Sequence, residues 1–423
     1  MSLLDELSDP RVWERFYDYK AGLACHKVFL KALREFIDRQ GYVDVCAAIE
    51  EEQPFPLPKK AVISKMATGK KRTVYTYPDD ENTVLKLLTW LLLRRYDYIF
   101  PKSLYSFRPG VTAKDAFLRL ASVPGIGGKY AYKTDVSDYF NSAPVDALVE
   151  QLEGVFADDP KLFSFLKRLL EEPEVLDGNE RITEQKGMMA GTPLSAFYAN
   201  LFLSDLDRDF AEAGTPYARY SDDIIVFADT PEELESHAEK IRQYLAAAGL
   251  NVNPKKEEYY APDTGFVFLG FSYRGGVIDV APASVAKLKA KMRRKARALA
   301  RWAKRKGLDG DKAARAFVKA FNRKLYEGGR DSELTWALWF FPVINTAESL
   351  GTLDRYAEDC IRFLAAGTRT KARFNVRYED LKALGFRPLK HEYYRFRDGK
   401  TDRPGGENEV APDGADEEMK TLR

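Results

Sequence analysis

The residues best suited to chemistry are an adjacent pair of acids, Asp222 and Asp223. They sit in Tyr220-Ser221-Asp222-Asp223, between Tyr217-Ala218-Arg219 and the apolar run Ile224-Ile225-Val226-Phe227. Two carboxylates this close raise each other's pKa unless a cation neutralises them. A hard, oxygen-seeking cation such as Mg²⁺ is the natural partner. Asp is also a common turn former, so the pair alone is what a hairpin turn would need anyway. A third acid adds weight: Tyr130-Ala131-Tyr132-Lys133-Thr134-Asp135 alternates as a half-buried strand does, and Asp135 stands at its end. If the two strands are neighbours in one sheet, three carboxylates converge on a single point. That arrangement suits a pair of cations acting on the attacking and leaving oxygens of an in-line phosphoryl displacement, so nucleotidyl transfer is the chemistry expected.

The rest of the chain must supply the elements that hold those acids in place. At 423 residues it is too long for one simple core, and two or three subdomains are expected. Hydrophobic content of 45% and charged content of 31% describe an ordinary globular chain. The net charge of +2 conceals a segregation: Lys287 to Lys324 is dense in lysine and arginine with only Asp309 and Asp311 against them, whereas Gly405 to Glu418 is acidic. Cys25, Cys46 and Cys360 lack a Cys-x-x-Cys spacing, and His26, His237 and His391 form no zinc-type cluster, so neither a disulfide framework nor a zinc module is supported. Cys25 and His26 are neighbours, but their apolar surroundings read as a packed helix. No stretch has the length or flanks of a signal peptide or membrane span, and a cytoplasmic protein without membrane contact is expected.

Helical spacing runs from about Pro10 to Glu52, ending at Pro54, Pro56 and Pro58. The basic turn Gly69-Lys70-Lys71-Arg72 feeds an alternating strand that ends at Pro78, and a leucine-rich helix follows from about Asp80 to Tyr98. Pro231 to Gly249 reads as a helix, and Pro282 opens a long basic one. From Thr401 on, Gly, Pro, Asp and Glu dominate, the composition of a disordered tail.

Several short motifs then fall in order: the basic strand at Arg72, Ser106-Phe107-Arg108-Pro109-Gly110, Asp135 with Phe140 five residues on, Gly187 to Asn200, the Asp222-Asp223 turn, Asn253-Pro254-Lys255-Lys256, and Phe268-Leu269-Gly270-Phe271. Each is weak alone. Together, over about Lys60 to Tyr273, they resemble a prokaryotic reverse transcriptase of the group II intron and retron kind. The resemblance implies an α+β, right-hand polymerase fold. It would comprise an N-terminal helical extension (1–58), fingers (59–128), a palm of antiparallel sheet with helices (129–280), a helical thumb (281–395) and a disordered tail (396–423). It implies RNA-directed DNA polymerase activity with two Mg²⁺ ions, or Mn²⁺ in their place. The partners would be an RNA template, a DNA or RNA primer, dNTPs and a cognate non-coding RNA.

Carried over residue by residue, the resemblance makes Asp135, Asp222 and Asp223 the catalytic carboxylates, with Asp135 and Asp222 the direct metal ligands and Asp223 in support. Phe140 falls at the sugar-discriminating position, where a bulky ring excludes the 2′-hydroxyl; plain core packing is the alternative. Lys71 and Arg72, with Lys70, would grip the incoming triphosphate, or form a solvated surface run. Arg108 would contact template or stabilise the fold. Gly187, Gly191, Ser195, Ala199 and Asn200 fit the family pattern, but Ala190 stands where glutamine is usual. That departure resembles the abortive-infection and unclassified branch tied to antiviral defence, and puts template handling in doubt. Lys256, or its neighbour Lys255, would be the general acid toward pyrophosphate. Phe268, Leu269 and Gly270 would lie in the primer grip, or in an ordinary core strand.

From Val285 to Lys306, one helical stripe carries Leu288, Met292, Ala296, Leu299 and Ala303, while Arg294, Arg297 and other cations occupy the remainder. Phosphate binding is expected there, in preference to an anionic membrane surface. Trp336, Leu338, Trp339, Phe340, Phe341, Val343 and Ile344 read as core of the same module. Rival readings are template-independent or protein-primed DNA synthesis, which Ala190 permits, and a polymerase-shaped RNA-binding scaffold, which the complete acidic trio disfavours. A cyclase or primase on a related palm is disfavoured by the motifs at Arg108 and at Phe268.

Overall fold

The computed structural model describes residues 2–23, 27–64, 71–327, 335–368, 370 and 372–399. The Cys25-His26 pair, Lys70 and the acidic tail lie outside them. The chain divides into two compact units, one up to Ala283 and one from Ser284 onward. Helices and sheets are mixed but largely segregated, an α+β organisation.

In the first unit, three helices, Pro10–Ala21, Lys27–Asp38 and Tyr42–Glu50, form the N-terminal part. Asp9 caps the first through the Arg11 amide, with Pro10 in the opening turn. Trp13 is fully buried and stacks on Tyr42 at 5.0 Å. The leucine-rich helix runs Asp79–Arg95 and buries Val84, Leu85, Leu87, Leu88 and Leu92.

Two four-stranded sheets and a three-stranded one follow. In the first, Lys71–Thr76, Lys59–Ser64, Glu174–Asp177 and Glu180–Thr183 lie side by side in that order. The second is the one that matters for the acids: Tyr217–Tyr220, Asp223–Ala228, Tyr130–Asp135 and Glu258–Tyr260, every pairing antiparallel. Helix Pro231–Ala247 contributes Leu234, Ala238, Ile241 and Leu245 to the core, which also takes in Tyr132, Ile224 and Val226 from this sheet. The third comprises Val277–Val280, Phe271–Arg274 and Phe266–Phe268.

The second unit is helical. Helix Pro282–Lys306 buries Leu288, Met292, Ala296, Leu299 and Ala303, the stripe that its periodicity indicates. Gly310–Asn322 and Glu348–Ala366 pack closely: a Cβ on Gly310 would stand 2.4 Å from the Ala365 carbonyl oxygen, so only glycine fits there. The aromatic run departs from expectation. Phe340, Phe341, Val343 and Ile344 are core, but Trp336, Leu338 and Trp339 are only half-buried, because the short helix Trp336–Phe340 turns one face outward. Trp336 and Trp339 line a cleft with Lys287, Lys291 and Lys324. Among the described residues no helix is long and apolar enough to cross a membrane.

Candidate active site

The acidic pair lies at a two-residue hairpin turn. Tyr220 and Asp223 pair across it, leaving Ser221 and Asp222 as the central residues. Ser221 has φ +60°, the positive value that primed hairpin turns need at their first central position. The strand that ends at Asp135 lies against the outgoing strand of this hairpin, with Asp135 directly opposite Asp223. The Val136 amide donates to the Asp222 carbonyl at 3.0 Å, which fixes the end of one strand to the turn of the other. Strand register thus sets Asp135 opposite Asp223 and ties the backbone of Asp222 to the same end of the sheet.

A second loop closes over Asp135. Val136 bridges to Val252. The Asn253 amide donates to the Asp135 carbonyl at 2.7 Å, and its side-chain Nδ2 donates to Asp135 Oδ1 at 3.3 Å. The Asn253-Pro254-Lys255-Lys256 turn, closed by Lys256 N to the Asn253 carbonyl, brings Lys256 Nζ to 2.5 Å from Asp135 Oδ2. Of the two lysines offered by the sequence, Lys256 is the one that reaches the acids.

Electrostatics mark the point as cation-seeking. Burial, and then the Asp135 charge, push the Asp222 pKa above the usual carboxylate range. Burial, Asp222 and Asp135 together raise Asp223 to about 6, while Lys133 and Lys256 partly counter them. Oxygen donors this close, destabilised as anions, suit a hard divalent cation, and Asp135 with Asp222 could hold one. Among the described residues, no three His, Cys, Asp or Glu side chains stand as a ready-made metal cage. The ammonium of Lys256 lies against the Asp135 oxygen instead.

Around this centre, Phe140 lies in the short helix Tyr139–Ser142, half-buried and edge-on to Tyr139 at 5.6 Å. Its carbonyl accepts from the Met188 amide at 2.7 Å, and a Cβ on Gly187 would stand 2.5 Å from that oxygen. Glycine at 187 is what lets the two segments touch. The same loop meets the basic strand: Tyr75 N donates to the Ala190 carbonyl at 2.7 Å, and Gly191, at φ +100°, leaves only 3.0 Å for a Cβ before Tyr75 O. Lys71 and Arg72 are exposed on that strand.

Two alternatives left open by the sequence narrow. Arg108, considered as a template contact, spends its donors inside the fold: Nε and Nη2 on the Asp97 carboxylate at 2.7 and 3.0 Å, and Nη1 on the Pro101 and Leu104 carbonyls. It is a structural staple, because a guanidinium so saturated has little left for phosphate. Phe268 and Phe271 pair with each other and are wholly buried, so they are core. Only the turn residues Leu269, at φ +48°, and Gly270, at φ +90°, remain to act as a grip. Arg294 and Arg297 are exposed on their helix in the second unit.

The sequence reading missed Arg219 and Asp207. Arg219 is fully buried and donates to both Asp207 oxygens at 2.6 to 3.0 Å. It also donates to the carbonyls of Ala199, Asn200 and Ser221 at 2.9 to 3.2 Å. Burial works against the Arg219 charge and the Asp207 carboxylate more than restores it. The bond to Ser221 anchors the acidic turn itself. The available signal was a charged residue in an otherwise apolar strand, which must find a buried partner.

Residues 57–273 match the family described as reverse transcriptase (RNA-dependent DNA polymerase). No curated protein matches the chain. Among solved structures, apo telomerase from Candida tropicalis is 14% identical over 81% of this chain and 63% of that one, with a TM-score of 0.46. The same telomerase truncated from its C-terminal domain is 15% identical over 53% and 55%, with a TM-score of 0.44. Telomerase from Candida albicans, in complex with a TWJ fragment of telomeric RNA, is 11% identical over 79% and 64%, with a TM-score of 0.40. The chain therefore spans between 55% and 64% of the length of these telomerases. The family match takes in just over half of the 423 residues and contains the whole acidic centre together with the loops that build it, and the protein belongs to the reverse transcriptase family of nucleotidyltransferases.

Proposed function

We propose that the protein is an RNA-directed DNA polymerase that extends a primer with dNTPs, using two divalent ions, Mg²⁺ by preference. The observation that carries this reading is the register placing Asp135 opposite Asp223 at the turn that presents Asp222. In this role Asp135 and Asp222 are the metal ligands and Asp223 supports them. The metal ions would supply charge stabilisation to both the attacking and the departing oxygen. The chain's own residues do the rest. Asn253 orients Asp135, Arg219 fixes the turn, and Lys256, whose ammonium donates to Asp135, serves as the proton donor to the leaving pyrophosphate. Lys71 and Arg72 offer fixed positive charge to the triphosphate. Residues 59–128 act as fingers, 129–280 as palm and 281–395 as thumb.

The experiment is primer extension by purified protein with Mg²⁺ on an RNA template. Templated product is expected. Homopolymer formed without template would favour the template-independent reading that Ala190 permits, and duplex binding without synthesis the scaffold reading. Ala190 in place of glutamine also supports placing the chain in the defence-associated bacterial branch, with a cognate non-coding RNA as partner.

Phe140, half-buried beside the Gly187 loop, is proposed to exclude ribonucleotides. Phe140→Ala should lower the preference for dNTP over rNTP by about 10- to 200-fold, the range for a pocket that selects by the size of one small group. Competitive incorporation measures it, and unchanged discrimination would reduce Phe140 to a packing residue.

Arg294 and Arg297 are proposed phosphate contacts. Each contact removed should reduce the slope of log K against log salt by roughly 0.9. The double Ala variant should therefore bind a primer–template with a slope shallower by about 2, and an unchanged slope would remove both from the interface.

A further inference from the structure

Phe107 combines three features that plain packing does not explain. Its backbone is left-handed at φ +56°, a conformation costly for a bulky side chain. The residue is 41% exposed. Both neighbours, by contrast, are held rigidly. Ser106 is fully buried, its Oγ donating to Asn200 Oδ1 and its carbonyl accepting from Asn200 Nδ2, each at 2.7 Å. Arg108 is locked to Asp97. Just upstream, Leu104 bridges to Arg219, and the Tyr105 amide donates to the Arg219 carbonyl at 3.0 Å. The segment is therefore built onto the strand that leads into the catalytic turn.

The position of the ring follows from this. Phe107 lies 6.5 Å from the ring of Tyr220 at an interplanar angle of 39°. Tyr220 is directly opposite Asp223 and Asp223 directly opposite Asp135, so these three side chains share one face of the sheet. Phe107 extends that row by one, an exposed aromatic surface two side chains from the acids. Strain held in place by saturated hydrogen bonds on both sides, at a position where glycine would rest unstrained, signals a residue kept for what its side chain touches.

We propose that Phe107, backed by Tyr220, is a stacking platform for a nucleobase of the primer–template next to the point of nucleotide addition. This rests on the polymerase reading. A flat apolar ring beside an acidic, cation-binding centre suits a base face and not a phosphate, and stacking tolerates any base.

The test compares Phe107→Gly and Phe107→Trp with the parent, reading urea midpoint, primer–template Kd, and an abasic scan of each strand. Glycine relieves the positive φ, so Phe107→Gly should keep or raise the midpoint while weakening primer–template binding about 5- to 150-fold; Phe107→Trp should retain binding. An abasic site at the stacked position should weaken the parent to the level of Phe107→Gly and weaken Phe107→Gly no further. The strand in which that position falls identifies the stacked base. A lowered midpoint with unchanged affinity would overturn the proposal, as would an equal loss at every abasic position. Absence of primer extension by the parent would count against the polymerase reading and leave the binding cycle readable.

Discussion

Asp222→Asn is expected to reduce primer extension by about a thousandfold or more while primer–template binding stays within about twofold of the parent. The substitution is nearly isosteric, and the backbone bond from Val136 N to the residue 222 carbonyl does not depend on the side chain. What it removes is one of two adjacent anionic oxygen donors. Metal-borne charge stabilisation is worth several kcal/mol in phosphoryl transfer, and each 1.36 kcal/mol is a factor of ten in rate. Because Asp222 is already raised by burial and by Asp135, the neutral Asn costs the fold little, and the loss should appear in the chemical step alone. Single-turnover rates beside equilibrium binding measure both. An Asp222→Asn protein that extends at parental rate would remove the residue from the reaction.

Arg219→Ala is expected to lower global stability by about 3–5 kcal/mol, the usual cost of breaking a buried ion pair from one side. That is a large share of the 5–15 kcal/mol that holds a typical domain together. The Asp207 carboxylate would be left with the Tyr217 hydroxyl at 2.8 Å as its remaining side-chain donor. The carbonyls of Ala199, Asn200 and Ser221 would lose the donor they share. Arg219→Lys should recover little, because a point charge cannot replace a planar fork with five donors. Removing both charges in Arg219→Met with Asp207→Leu should recover part of the loss, limited by those three carbonyls. Urea denaturation reads all three variants. A cost below about 1 kcal/mol for Arg219→Ala would mean that the turn is held by its strands alone.

What the sequence made legible was local. The strand ending at Asp135 alternates in sequence, the hairpin at Asp222 shows a turn signal before an apolar run, and the helix from Pro282 carries its apolar stripe at helical spacing. Burial along Tyr130–Asp135 and Asp223–Ala228 nonetheless does not alternate, so these strands are more deeply covered than the half-buried pattern implies. The convergence itself could only be posed as a condition. Register between Tyr130–Asp135 and Asp223–Ala228 is a pairing of segments almost ninety residues apart, and no local pattern encodes it. Arg108 shows the complementary limit, since a sequence displays a charge but not its partner. Asp97, eleven residues upstream, absorbs it. Arg219 reads in sequence as one more strand residue, although a buried guanidinium there has to be matched by an acid such as Asp207. Trp336 and Trp339 read as core by hydrophobicity, yet a five-residue helix cannot bury every side.

In the proposed reaction Asp135 and Asp222 gather divalent ions where nucleotides are joined. The most direct test is to count Mn²⁺ by electron paramagnetic resonance in the complex of the full chain with primer–template and a non-reactive dNTP analogue. Two ions per chain are expected for the parent, with at least one lost in Asp222→Asn. An equal count in parent and variant would exclude Asp222 as a metal ligand.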